Sequence, residues 1–384
     1  MPRYDFDQGL PDPDLYPVEL LARHYAQVLA DDGRDACNYF SGRNGQDMTY
    51  GHAGLRAAIA EWLAAAEDCS LPGGAALSAD NLLLANGSTN GIAMAINAFL
   101  GPGDALIVEE LSYPYAAQFA RTAGAAVLTV PVGTDGMDVD QLPRAFAAAQ
   151  RQGLRPRVVY TVATFHSPTG TVLPAEQRRR LMEVSRAAGA VVLDDNCYYH
   201  LWYDEPPPAS LLGLDDGATV IQSGSFSKYL APGLRMGWLA GESGLIARIA
   251  AARQDFAVSQ LTARVIERYV RDGELDQHLV KLRQAYAAKR DTAERALTEH
   301  CGQWVDFRTP RGGLYFWLSV HPEVDFDKAM AGAQERGVGF RPGVRFQHLD
   351  DGGQYLRLSV AQSPMADIEP GIALLGDALA AAVR

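Results

Sequence analysis

Short apolar runs alternate with stretches of helical periodicity through the middle of the chain. The runs Asn81 to Ala85, Ala105 to Glu109, Ala126 to Pro131, Arg157 to Val162, Ala190 to Asp194, Thr219 to Ser223 and Met236 to Ala240 predict strands. Helical patterns separate most of them, so the arrangement predicts an α/β fold: a mostly parallel sheet covered on both faces. Ala175 to Ala188 reads as a crossover helix, since it follows Pro174, is rich in helix formers and ends at Gly189 before Val191-Val192-Leu193. Beyond about Arg264 the pattern becomes one long helical stretch through Asp291 and Leu297. Mixed strands and helices then run to Arg384, which predicts a smaller α+β domain. No internal repeat is visible, and Pro206-Pro207-Pro208 reads as a local turn or rigid loop.

At 384 residues, 48% hydrophobic and 21% charged, the chain is long enough for a large core and a smaller appended domain. A formal net charge of -12 opposes general attraction to nucleic acid or anionic membrane, while leaving room for a local basic pocket that takes a small anion. Cys37, Cys69, Cys197 and Cys301 are scattered without Cys-x-x-Cys spacing, so neither a metal site nor a disulfide framework is expected. Met1 to Asp7 lacks an apolar signal core, and no apolar run is long enough to span a bilayer. The expectation is a cytoplasmic chain with no nucleic-acid or membrane partner.

The densest chemistry lies between Ser223 and Trp238. There Lys228 sits among hydroxyls, glycines and an arginine after a β-branched run. Lys228 can supply an amine for a Schiff base, and Ser225, Ser227 and Arg235 can hold a phosphate, which suits a phosphate-bearing aldehyde cofactor. Gly87-Ser88-Thr89-Asn90 precedes an alanine-rich helix, so Ser88 and Thr89 suit a phosphate at a helix start and equally a simple cap. Tyr113 follows a strand and offers a flat face for stacking or for ordinary packing. Asp195 and Tyr198 put a carboxylate and a phenol three positions apart at another strand end. The adjacent Asp194 leaves the register ambiguous, and the spacing to Tyr198 favours Asp195. Arg357, in the alternating run Tyr355 to Val360, carries a planar fork suited to a carboxylate.

In this order the motifs resemble those of the pyridoxal phosphate (PLP)-dependent class I and II aminotransferases of fold type I. That family carries Ser-x-Ser-Lys followed by Pro-Gly-Leu-Arg-x-Gly, with Asp-x-x-Tyr upstream. The resemblance runs from Gly51-His52-Ala53-Gly54-Leu55-Arg56 through Arg311-Gly312-Gly313-Leu314-Tyr315-Phe316-Trp317 to Arg357. Its flavour is that of the aminoadipate and kynurenine aminotransferase branch, also used as the effector domain of MocR-type regulators. It implies a PLP-dependent transferase fold, with a large PLP-binding domain at 45–285 and a small domain built from 1–44 and 286–384. It also implies that Lys228 forms the internal aldimine and serves as base, that Asp195 keeps the pyridine nitrogen protonated, and that Tyr198 and Ser167 bond O3′. Tyr113 would stack on the ring, Ser88, Thr89, Ser225, Ser227 and Arg235 would bind the phosphate, and Arg357 would grip the substrate α-carboxylate. The implied activity is amino transfer from a free amino acid to a 2-oxoacid by a homodimer with its site at the subunit boundary. Tyr39 and Tyr50 are candidates to reach the neighbouring subunit, neither at a matching spacing. Tyr16, His24, Asn38 and Tyr39 are candidates for the entrance.

One position departs from the family. In Phe165-His166-Ser167-Pro168-Thr169-Gly170, Ser167 stands where the family has asparagine. The shorter hydroxyl is either a tolerated replacement with a bridging water or the mark of an altered reaction: elimination, replacement or decarboxylating deamination in specialised biosynthesis. A noncatalytic MocR-like regulator is disfavoured, because the fold is expected to begin within the first fifty residues and the N-terminus is acidic.

Overall fold

The computed structural model describes residues 2–39, 47–348 and 353–384. Seven strands form one sheet: β1 Leu82–Ala85, β2 Asp104–Glu109, β3 Ala126–Val130, β4 Arg155–Thr161, β5 Val191–Asp195, β6 Val220–Ser225 and β7 Gly237–Gly241, in the order β1-β7-β6-β5-β4-β2-β3. Only β7 runs antiparallel to its neighbours. The strands fall within two residues of their sequence expectations. The inner ones, such as Val158-Val159, Val192-Leu193 and Val220-Ile221, are buried, which is why they read as continuous apolar runs.

The crossover helix is observed at Ala175–Ala187 and stops where Gly189 takes φ +68°. Its inner face buries Leu181 and Met182, and also Arg178. The Arg178 guanidinium donates to the carbonyls of Leu173, Ala163 and Ala209 and to Thr164 Oγ1 at 2.8–3.2 Å, so it ties down the loop that carries Ser167.

The long helical stretch expected beyond Arg264 is two helices, Gln260–Arg271 and Glu274–Cys301, broken where Gly273 takes φ +72°. The apolar periodicity continues across the break and hides it. The second helix packs Leu275, Leu279, Leu282 and Tyr286 into the core of the large sheet and Ala293, Ala296 and Leu297 into a second core. That second core lies on an antiparallel sheet of β8 Val305–Phe307, β9 Phe316–Val320, β10 Arg341–Pro342 and β11 Tyr355–Leu358, ordered β8-β9-β11-β10.

From the chain's beginning, Tyr4 and Phe6 join the second core. The helix Val18–Ala36 instead packs against Gln260–Arg271 through Leu21, Val28 and Val265, apart from the second core. The boundary expected at 44/45 lies outside the described residues, and the one at 285/286 falls inside a continuous helix. Among the described residues no helix is long and apolar enough to cross a membrane.

Candidate active site

The carboxyl ends of β1, β2, β5 and β6 open toward a cavity of about 320 Å³, the usual place for a ligand in a sheet of this kind. Ser88, Thr89, Tyr113, Ser167, Asp195, Tyr198, Ser227, Lys228, Arg235 and Arg357 all line it. These residues span 270 positions of sequence, and the fold brings them to one place.

At one end, Ser88 opens the helix Ser88–Phe99 directly after Gly87, whose φ of +83° only glycine adopts freely. A Cβ on Gly87 would lie 2.6 Å from Arg235 Nη2. Arg235 is itself left-handed (φ +48°), which turns its side chain back to donate to the Asn86 carbonyl at 2.8 Å. Helix start, guanidinium and hydroxyls converge there on a space suited to an anion. Thr89 Oγ1 and Tyr113 Oη are 3.0 Å apart.

Ser225 is the exception among the predicted residues. It is buried outside the cavity wall, and its Oγ accepts the Ser227 N–H at 3.1 Å, so it shapes the loop that presents Lys228.

The floor is Asp195. Strand alternation turns Asp194 to the other face, where it accepts from the Ala163 N–H, and turns Asp195 into the cavity. Tyr160 Oη donates to Asp195 Oδ2 at 3.0 Å, while the buried Oδ1 has no partner among the described residues. Burial pushes the Asp195 carboxyl up to about 6, against the hydrogen bonds from Tyr160 and Cys197 and the charge of Lys228, which pull it down. Beside it the hydroxyls of Tyr198 and Tyr315 are 2.8 Å apart. Burial drives His166 down to about 3, so it is neutral at physiological pH; its Nδ1 lies 2.8 Å from Thr169 Oγ1 and braces the turn that carries Ser167.

The third wall comes from the N-terminal segment, which no motif foretold. Lys228 Nζ donates to the Gly9 carbonyl at 2.6 Å, and Arg357 Nη2 donates to the Asp7 carbonyl at 2.7 Å. The Asp7 carboxylate pairs with Arg341, which also lines the cavity. A Cβ on Gly9 would lie 2.2 Å from Tyr315 Oη, so the segment lies this close only because residue 9 has no side chain.

The entrance candidates fall elsewhere. Tyr16 lines a separate hollow of about 450 Å³ with His278 and Lys281. His24 is buried with Nε2 2.7 Å from Glu274 Oε2, and Asn38 and Tyr39 are exposed away from the cavity. Tyr50 lies under the Arg56 guanidinium, 5.4 Å from its ring centroid.

A cofactor with a phosphate, a flat ring and a protonated ring nitrogen fits these groups. The Gly87–Arg235 cradle accepts the anion, and the partnerless Asp195 Oδ1 awaits a donor. Comparison with known proteins bears on the same question. The family model for aminotransferases of class I and II matches residues 23–375. This chain belongs to that family. Aromatic-amino-acid aminotransferase 1 of Thermococcus litoralis is 30% identical over 97% of this chain and 86% of its own length. The solved structure of LysN, the α-aminoadipate aminotransferase of Thermus thermophilus, complexed with N-(5′-phosphopyridoxyl)-L-leucine, superposes with a TM-score of 0.86 at 30% identity, covering 98% of this chain and 92% of that one. The chain also matches the Bacillus subtilis HTH-type transcriptional regulator YisV, at 26% identity over 94% of its length and 70% of the regulator. As a class I and II aminotransferase the protein is a PLP-dependent transferase of amino groups.

Proposed function

We propose that Lys228 holds the cofactor and moves the α-proton of a free amino acid whose amino group passes to a 2-oxoacid. The observation that carries the reading is the convergence of a lysine amine, a partnerless buried carboxylate oxygen and an anion cradle on one cavity of about 320 Å³. Bound there, PLP supplies an electron sink for the bond broken at the substrate α-carbon.

Each side chain then has its own task. Asp195 Oδ1 holds a proton on the ring nitrogen. Tyr198, supported by Tyr315, and Ser167 donate to the ring's 3′ oxygen. Tyr113 packs on the ring face, with its hydroxyl anchored at Thr89. Ser88, Thr89, Ser227 and Arg235 hold the phosphate, and Arg357 orients the substrate α-carboxylate with two parallel bonds. Lys228 Nζ would take and hold the α-proton. Its bond to the Gly9 carbonyl must give way before Nζ can hold the cofactor.

We assign the cofactor to a large domain at 45–285 and group 1–44 with 286–384 as the small domain, Tyr4 and Phe6 entering its core while the helix Val18–Ala36 rests on the large domain's Gln260–Arg271. We also propose that the enzyme works in the cytoplasm as a homodimer whose partner completes the site. The exposed, adjacent rings of Tyr39 and Phe256, 5.9 Å apart, support a face that a second copy covers. The test is Lys228→Ala, which should lose nearly all amino transfer while keeping its fold; normal turnover by this variant removes the reading.

A further inference from the structure

Among the described residues four cations face the cavity: Lys228, Arg235, Arg341 and Arg357. Cofactor and α-carboxylate account for three of them and leave Arg341 without a task. We propose that Arg341 recognises an acidic group at the far end of the substrate side chain, and that Asp7 holds its place until substrate arrives. The proposal rests on amino transfer at this site and names its substrate class: amino acids with an anionic side-chain terminus.

Arg341 and Arg357 are directly opposite each other on the antiparallel strands β10 and β11. Side chains so paired project from one face of the sheet about 5 Å apart at Cβ, where like charges repel unless an anion lies between them. One residue supplies what both need. The Asp7 carboxylate takes both Nε and Nη2 of Arg341, the second at 2.8 Å, and the Asp7 carbonyl accepts from Arg357 Nη2 at 2.7 Å. Arg357 Nε keeps no partner among the described residues. Asp7 thus offers one oxygen group to each arginine, the polar pattern of a molecule with two carboxylates.

Substrate and residue 7 therefore compete for one set of arginine donors. A substrate with a second carboxylate replaces Asp7 ion pair for ion pair. A neutral side chain leaves Arg341 to Asp7, and a cationic one meets Arg341 as a like charge.

Calorimetric titration of the PLP-loaded protein with glutarate and with butyrate tests this without turnover. The wild type should bind the dicarboxylate about 30-fold or more tightly than the monocarboxylate. Arg341→Met should bring that ratio to within about threefold, and Arg341→Lys should retain part of it. Asp7→Asn should tighten glutarate about three- to tenfold, because it removes the competing charge. A wild type without the preference overturns the proposal. So does an Arg341→Met variant that keeps it, or an Asp7→Asn variant that weakens glutarate, which makes the ion pair a structural fastening. If Arg341→Met does not fold, Arg341→Lys and Asp7→Asn decide. Single turnovers of the same wild-type preparation with leucine and glutamate separate the two claims. Amino transfer without preference for the dicarboxylate removes the role of Arg341 alone, and no transfer from either amino acid counts against the function itself.

Discussion

Asp195→Asn should stabilise the cofactor-free protein while weakening its hold on PLP. The carboxyl titrates at about 6 in the fold and near 4 in an unfolded chain. Two units at about 1.4 kcal/mol each make roughly 3 kcal/mol. Because the folded-state value is raised, this contribution is fully present below about pH 4 and is lost as pH rises through about 6. The amide never ionises, so the variant escapes the loss. It gives up part of the hydrogen bond from Tyr160, worth about 1 kcal/mol. Urea unfolding of the cofactor-free proteins should therefore find the variant about 1 kcal/mol less stable near pH 4 and about 2 kcal/mol more stable at pH 8. Asp194 and Glu109, which burial raises to about 7 and about 8, are present in both proteins and drop out of the difference. With PLP the order reverses. An amide cannot hold a proton on the ring nitrogen, so affinity at pH 8 should fall about tenfold or more. Stability that declines in parallel for both proteins between pH 5 and 8, or PLP affinity unchanged by the substitution, would refute the reasoning.

Two further substitutions probe the walls of the site. Gly87→Ala forces a side chain into a glycine-only conformation and against Arg235, so equilibrium titration should show PLP binding weakened about 10–100-fold, with far-UV circular dichroism unchanged. Arg178→Met leaves three carbonyls and Thr164 Oγ1 without their donor and should cost about 3–5 kcal/mol in urea unfolding; a loss below about 1 kcal/mol would contradict its role in bracing the Ser167 loop.

The sheet was legible in the sequence because burial on both faces leaves strands as unbroken apolar runs, and Gly189 and Pro174 punctuate the crossover helix. Most of the cavity wall was legible too, because Lys228, Asp195 and Arg235 sit in local motifs whose spacing reflects one loop or one strand end. Three features escaped. The break at Gly273 was masked by helical periodicity that resumes in phase, although Asp272-Gly273 is a turn signal. The strap of Asp7 and Gly9 reaches partners 219 to 350 positions away, and neither residue belongs to a pattern that marks it. Arg341 escaped for the same reason, since its neighbour Arg357 is adjacent only through strand pairing.

The central claim is that the amino group of a free amino acid leaves on the cofactor held at Lys228. The most direct measurement is a single turnover of the PLP-loaded protein, without an oxoacid acceptor, followed by absorption with products identified by mass spectrometry. Release of one 2-oxoacid, with the cofactor left as pyridoxamine phosphate and restored by adding an oxoacid, is the predicted result. Product formed while the cofactor returns to its starting form without an acceptor would contradict the account.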